Sequence, residues 1–276
     1  MTATTADRGD APLGVFDSGL GGLTVVRALR EALPQERIVY LGDTARVPYG
    51  TRGPATVIKY ALACAHHLVG RKVKAIVIAC NTVSAVAPDR LRVELDIPIL
   101  GVIEPGARAG VRASSRGRIG VLATTATIAS GAYPRAVAAE STRAEVIGQA
   151  APLLVPLAEE GWTEGEVPRL AARRYLEPLA KANVDVIVLG CTHYPLLRAV
   201  IEDEARALMG PSVGIVDSAR AVASETRDFL VTRGLVRTVT DGGGIELLVT
   251  DLPKSFEAVA GRFLGHALPE VHQVDL

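Results

Sequence analysis

This 276-residue sequence predicts an α/β fold with parallel sheets, on three observations. Short β-branched runs alternate with longer amphipathic stretches almost to the end of the chain. The runs are continuously apolar, as in strands covered on both faces, rather than apolar at every second position. One phrase also recurs: AIVIACNT, residues 75–82, is echoed by VIVLGCTH, residues 186–193, strand to strand and thiol to thiol. The echo suggests two similar α/β halves facing one another across a cleft. Each half then brings a cysteine to the carboxyl end of a strand, where open α/β sheets bind ligands.

The elements follow in order. The first strand, 13–16, runs into DSGLGG, and a helix is expected over 22–32. A second strand at 38–42 ends in DTARVPYG, where Pro48, Tyr49 and Gly50 read as a rigid turn. An amphipathic stretch covers 54–70. Strands are expected at 75–79, 99–102, 119–123 and 146–148, then a helical stretch over 163–180. A strand at 184–189 ends in GCTHYP and is followed by a helix over 195–209. Strands at 213–216 and 246–250 complete the pattern. No Gly/Ser linker or low-complexity segment interrupts it.

Composition bounds the function. The chain is 49% hydrophobic and 22% charged, which is globular. Thirty Lys and Arg balance thirty Asp and Glu, so no broad field draws it to nucleic acid or anionic membrane. The opening MTATTADRGDAPLG has no apolar signal region, and no apolar stretch reaches the roughly 18 residues of a spanning helix. Three cysteines, Cys64, Cys80 and Cys191, are too few for a disulfide framework, and a reduced, cytoplasmic protein is expected.

The motifs carry more. After the first strand, Asp17 and Ser18 precede Gly19, Gly21 and Gly22 at a helix start. A dinucleotide fingerprint would need glycine where Thr24 stands, and no phosphate-binding G-x-x-x-x-G-K-[ST] loop occurs. The stretch reads as an anion-accepting helix start, or as Asp17 and Ser18 capping the helix. Asp43 ends the second strand, and Tyr49 can roof a pocket or pack against its own loop. Cys64, in the middle of a helix, is read as buried and structural. His66, His67, His266 and His272 are read as structural or solvated.

Two thiols facing one cleft define a reaction. With a thiolate on one side of a substrate carbon and a thiol on the other, one removes a proton while the other delivers one to the opposite face. This inverts a stereocentre without metal or cofactor, and none is expected. Asp17 and His193 are candidates to manage the protons, and Asn81, Thr82 and Thr192 to hold a carboxylate. A Cys–His hydrolase using Cys80 or Cys191 with His193 leaves the second thiol unexplained. Zinc on Cys80, Cys191 and His193 lacks the usual ligand spacings, and pyridoxal phosphate lacks a lysine in either cysteine phrase. A non-catalytic binder would not need proton carriers.

FDSGLGGL, LGDTARVPYG, ACNT and GCTHYP, in this order and at these intervals, resemble the glutamate racemase family. The likeness runs from about Gly14 to VTDLPKSFEAVAGRFLG near the carboxyl end. It implies cofactor-independent interconversion of L- and D-glutamate, supplying D-glutamate for peptidoglycan, by a homodimer. Aspartate or another amino acid is the alternative substrate within the same family. The resemblance implies two α/β domains related by a pseudo-twofold axis, with the active site between them. The first would comprise residues 1–104 and 217–276, the second 105–216. Carried over residue by residue, Cys80 exchanges the proton on the D-glutamate face and Cys191 that on the L-glutamate face. Asp17 assists the first thiol and His193 the second. Glu159 is the assisting glutamate, with Glu160 its neighbouring alternative. Asp17, Ser18, Tyr49, Gly50, Asn81, Thr82, Thr192 and His193 form the implied substrate-contact set. Ala151 departs from the cysteine that many relatives carry before the proline.

Overall fold

The computed structural model describes residues 9–252 and 256–276. Most of the opening stretch just considered, and residues 253–255 of the carboxy-terminal match, therefore lie outside the described residues.

Ten strands form two sheets among these residues, every pairing parallel. β1 (Leu13–Asp17), β2 (Arg37–Gly42), β3 (Ala75–Ile78) and β4 (Ile99–Gly101) join β9 (Gly244–Val249) and β10 (Val271–Gln273) in a six-stranded sheet, order β10-β9-β2-β1-β3-β4. β5 (Arg118–Ala123), β6 (Glu145–Ala150), β7 (Val186–Gly190) and β8 (Gly214–Asp217) form a four-stranded sheet, order β6-β5-β7-β8. The four-strand pattern is the same in both. The chain leaves a central strand to one side, then returns and proceeds to the other. The crevice of each sheet therefore opens at the carboxyl ends of β1 and β3, and of β5 and β7.

The apolar runs have the expected cause. Leu13 and Val15 of β1 enter the cluster that also holds Val77 of β3 and Val26 of the helix Leu23–Ala32. Phe16 and Ile78 enter the cluster on the opposite face with Leu68. β7 divides in the same way, Ile187 and Leu189 to one side and Val188 to the other. Alternate residues fill opposite faces, and both faces are covered by helices, so no position favours a polar residue.

Two expectations are corrected at the margins. β10 was not anticipated, because Val271–Gln273 is too short and polar to read as an apolar run; it pairs with β9 at the sheet edge. The last long helix of the second half begins as a 3-10 turn, Tyr194–Leu197, and becomes α-helical only from Arg198 to Met209. At the other end of the first sheet, Lys74 is buried with all its donors used. Its ammonium donates to Glu36 Oε2 at 2.5 Å and to the carbonyls of Gly9 and Leu235 at 2.8 Å each.

Candidate active site

Both thiols stand just beyond a strand at the crevice of its sheet. Cys80 follows β3 and precedes the short helix Asn81–Ser84; Cys191 follows β7. They line one cavity of about 200 Å³ between the sheets, together with Ser18, Tyr49, Gly50, Asn81, Thr82, Glu159, Thr192 and His193. Asp17 does not reach the cavity wall. It is buried, its Oδ2 accepting from the Gly19 amide at 3.1 Å and its Oδ1 without a partner.

On the Cys80 side, Sγ lies 3.6 Å from Ser18 Oγ. Burial, reinforced by the nearby Asp17 carboxylate, pushes the Cys80 thiol up to about 12, against hydrogen bonds from Ser18 and the Val83 amide. Burial also raises the Asp17 carboxyl, opposed by the charge of His193 and by neighbouring amides. Asn81 is oriented from the other half. Its Oδ1 accepts from the Tyr133 hydroxyl at 2.8 Å, leaving a buried Nδ2 with no partner.

The Cys191 side is basic where the Cys80 side is acidic. His193 Nδ1 lies 3.8 Å from Cys191 Sγ, and Nε2 lies 2.9 Å from Glu159 Oε1. Burial opposes a charged imidazole, but the hydrogen bonds to Cys191 and Glu159 outweigh it and raise His193 to about 10. Glu159, not Glu160, is the carboxylate at hydrogen-bond distance from this ring. Thr192 Oγ1 lies 3.4 Å from the same Nδ1.

The glycines after β1 act differently from the expectation of an open anion site. The first amides of the helix Leu23–Ala32 already donate to the carbonyls of Leu20, Gly21 and Gly22, and no side chain caps it. A Cβ on Gly21 would lie 2.3 Å from Thr192 Oγ1 and 2.6 Å from His193 Nδ1. The missing side chain lets the Cys191–His193 loop of the other half close onto this turn. Thr24 Oγ1 then donates to the Thr192 carbonyl at 2.9 Å.

Tyr49 does both things considered for it. It lines the cavity while its hydroxyl binds Asp43, itself tied to Thr250 at 2.9 Å, so the tyrosine is locked rather than free to donate. Cys64 is fully buried in the helix Pro54–Gly70, and its thiol is pushed up by burial. Among the described residues no cluster of His, Cys, Asp or Glu has a geometry able to hold a metal ion, and no helix is long and apolar enough to cross a membrane.

Sequence reasoning missed Thr124 and Thr125, which also line the cavity. Thr124 Oγ1 lies 3.0 Å from the hydroxyls of Thr82 and Thr127, bridging the halves. The signal was available: GVLATT, 120–125, occupies in the second half the place of GVFDSG, 14–19, in the first. Pro152 and Val155, from the phrase that supplies Glu159, add an apolar wall.

A sequence model of Asp/Glu/hydantoin racemases matches residues 22–226, which contain both thiols. The chain belongs to this racemase family. Within it, the glutamate racemase of Geobacter metallireducens is 49% identical over 264 residues, 96% of each chain. The crystal structure of the Francisella tularensis glutamate racemase in complex with D-glutamate has a TM-score of 0.89 at 35% identity, covering 97% of this chain and 98% of that one. The Thermus thermophilus glutamate racemase, in complex with beta-chloro-D-alanine, has a TM-score of 0.85 at 43% identity over the same shares. The family's two-sheet α/β architecture is thus shared along nearly the whole chain.

Proposed function

We propose that this chain is an isomerase that interconverts L- and D-glutamate, with Cys80 and Cys191 exchanging the α-proton on opposite faces of the substrate. One observation carries the reading: two cysteines at matching strand ends of two like sheets line one small cavity. The near full-length likeness to glutamate racemases supports glutamate as the substrate. Its product serves peptidoglycan synthesis in this family.

From L-glutamate, Cys191 as thiolate takes the α-proton, and the Cys80 thiol gives its proton to the other face. From D-glutamate the roles reverse. Asp17 serves Cys80 and His193 serves Cys191, with Glu159 holding the far nitrogen of the ring. The unpartnered Asn81 Nδ2 is aligned to receive a substrate carboxylate, assisted by Ser18, Thr82, Thr192 and the family's contacts at Tyr49 and Gly50. Asp17, placed in the contact set by resemblance, is assigned to the thiol instead, since it is buried and is not among the residues that line the cavity. The same proposal includes two domains, 1–104 with 217–276 and 105–216, related by a pseudo-twofold axis. This division is supported by the membership of the two sheets. A cytoplasmic homodimer completes it, checked by sedimentation equilibrium.

The test follows optical rotation and α-deuterium incorporation in D2O, without added cofactor, from L-glutamate, D-glutamate and aspartate separately. Both glutamate enantiomers are expected to converge on one mixture labelled at the α-carbon. Absence of rotation change and exchange in folded protein with free thiols would sink the proposal. Replacing either thiol, Cys80→Ala or Cys191→Ala, is expected to lower racemisation at least ~1000-fold, since each removes a reacting group. Full turnover in either variant would exclude the two-thiol mechanism.

A further inference from the structure

His193 performs its task only if its ring is held in one plane, and the terminal torsion of a histidine is broad. Its two nitrogens reach Cys191 and Glu159 from opposite ends of the ring. Glu159 ends a six-residue helix, Leu154–Glu159, and its side chain is half exposed. Neither feature by itself fixes the pair.

Two consecutive residues of the other half do. Phe263 is fully buried in the helix Phe256–Leu264, within the first sheet's core cluster beside Leu23 and Val26. Its ring meets the imidazole edge-on, centroids 5.0 Å apart and planes at 78°. Arg262, next to it, donates from Nη1 to the Glu159 carbonyl at 2.5 Å. The guanidinium fits over Gly161, whose φ is +75°; a Cβ there would come within 2.9 Å of Arg262 Cζ. Neither Arg262 nor Phe263 lines the cavity.

We infer that Arg262 and Phe263 are positioning residues for the Cys191 half of the site, Phe263 fixing the His193 ring and Arg262 fixing the helix end that presents Glu159. The inference rests on the racemase reading above. The charged and titratable groups facing the imidazole are Cys191 and Glu159 at its nitrogens and Asp17 from β1. Arg262 lies behind Glu159. Loosening the ring weakens the hydrogen bonds that raise His193, so its titration midpoint falls. It also raises the barrier to proton transfer at Cys191 relative to that at Cys80.

The variants are Phe263→Leu and, because a core substitution can cost folding, Arg262→Gln at an exposed side chain. Enantiomers have equal free energy, so kcat/KM must fall equally in both directions, by about ten- to a hundredfold for misplacement of this kind. Two signatures separate positioning from a merely structural role. The α-deuterium isotope effect rises from L-glutamate and falls from D-glutamate, and the His193 midpoint, read by NMR against a His193→Asn reference, moves down. Either signature alone supports the inference. Wild-type rates in both variants overturn it, as do lowered rates with direction-independent isotope effects and an unmoved His193. Wild-type protein measured in parallel separates the two failures: if it exchanges no α-proton from glutamate, the racemase reading falls; if it does, only this inference is at risk.

Discussion

Asp17 is a carboxylate kept where solvation would not keep it. Burial raises its pKa, so above its unfolded value, near 3.8, its ionised form costs the folded protein stability. Asn can still accept from the Gly19 amide without that charge. Asp17→Asn is therefore expected to raise the melting temperature at pH 8 and to have no such effect at or below about pH 3, where the carboxyl is protonated in both states. The same change should lower racemisation by about 10²–10⁴-fold, the usual worth of a proton-managing group. Calorimetry at both pH values, beside a rate assay, checks both signs. Tyr133→Phe removes the hydroxyl that orients Asn81; KM for glutamate is expected to rise about tenfold, the order of one lost buried hydrogen bond. At this scale the sequence was most legible where two copies of a phrase could be compared. Cys80 and Cys191 stood out because each ended an apolar run with a polar residue behind it. Tyr133 did not, since its role arises only when a helix of one half meets Asn81 of the other.

The glycine turn between β1 and its helix shows why element patterns outran element purpose. The strand and helix were readable from their periodicities, but the reason for Gly21 lies in a loop far along the chain. Gly21→Ala would bring a methyl group against the side chains of Thr192 and His193, on the loop of the opposite half that also carries Cys191. The expected result is a folded protein with far-ultraviolet circular dichroism like the parent and racemisation reduced about a hundredfold. Wild-type activity would show the contact to be soft. β10 escaped notice for the opposite reason: three residues on an edge need little intrinsic preference when a partner strand already offers its hydrogen bonds.

Across the whole molecule, the two halves close over a cavity of about 200 Å³, and its thiols are only 5–6% exposed. Alkylation followed by mass spectrometry is expected to modify Cys80 and Cys191 in the native protein and spare Cys64, which sits at 0% exposure. Glutamate should protect both reactive thiols together; protection of one alone would argue against a shared chamber. Strand–helix alternation made the fold class legible, because covered parallel strands must be apolar along their length. Strand order was not legible, because every run could pair with any other on hydrophobicity alone.

The sheet memberships also set an order of assembly during synthesis. All four strands of the second sheet have been made once Asp217 emerges from the ribosome, while the first sheet still waits for β9 and β10. Both thiols, Asp17 and His193 are present by then. Arg262 and Phe263 are not. A nascent chain can thus carry every reacting group of the site and still lack the helix that steadies one of them, so competence arrives with the helix Phe256–Leu264 rather than with the last nucleophile.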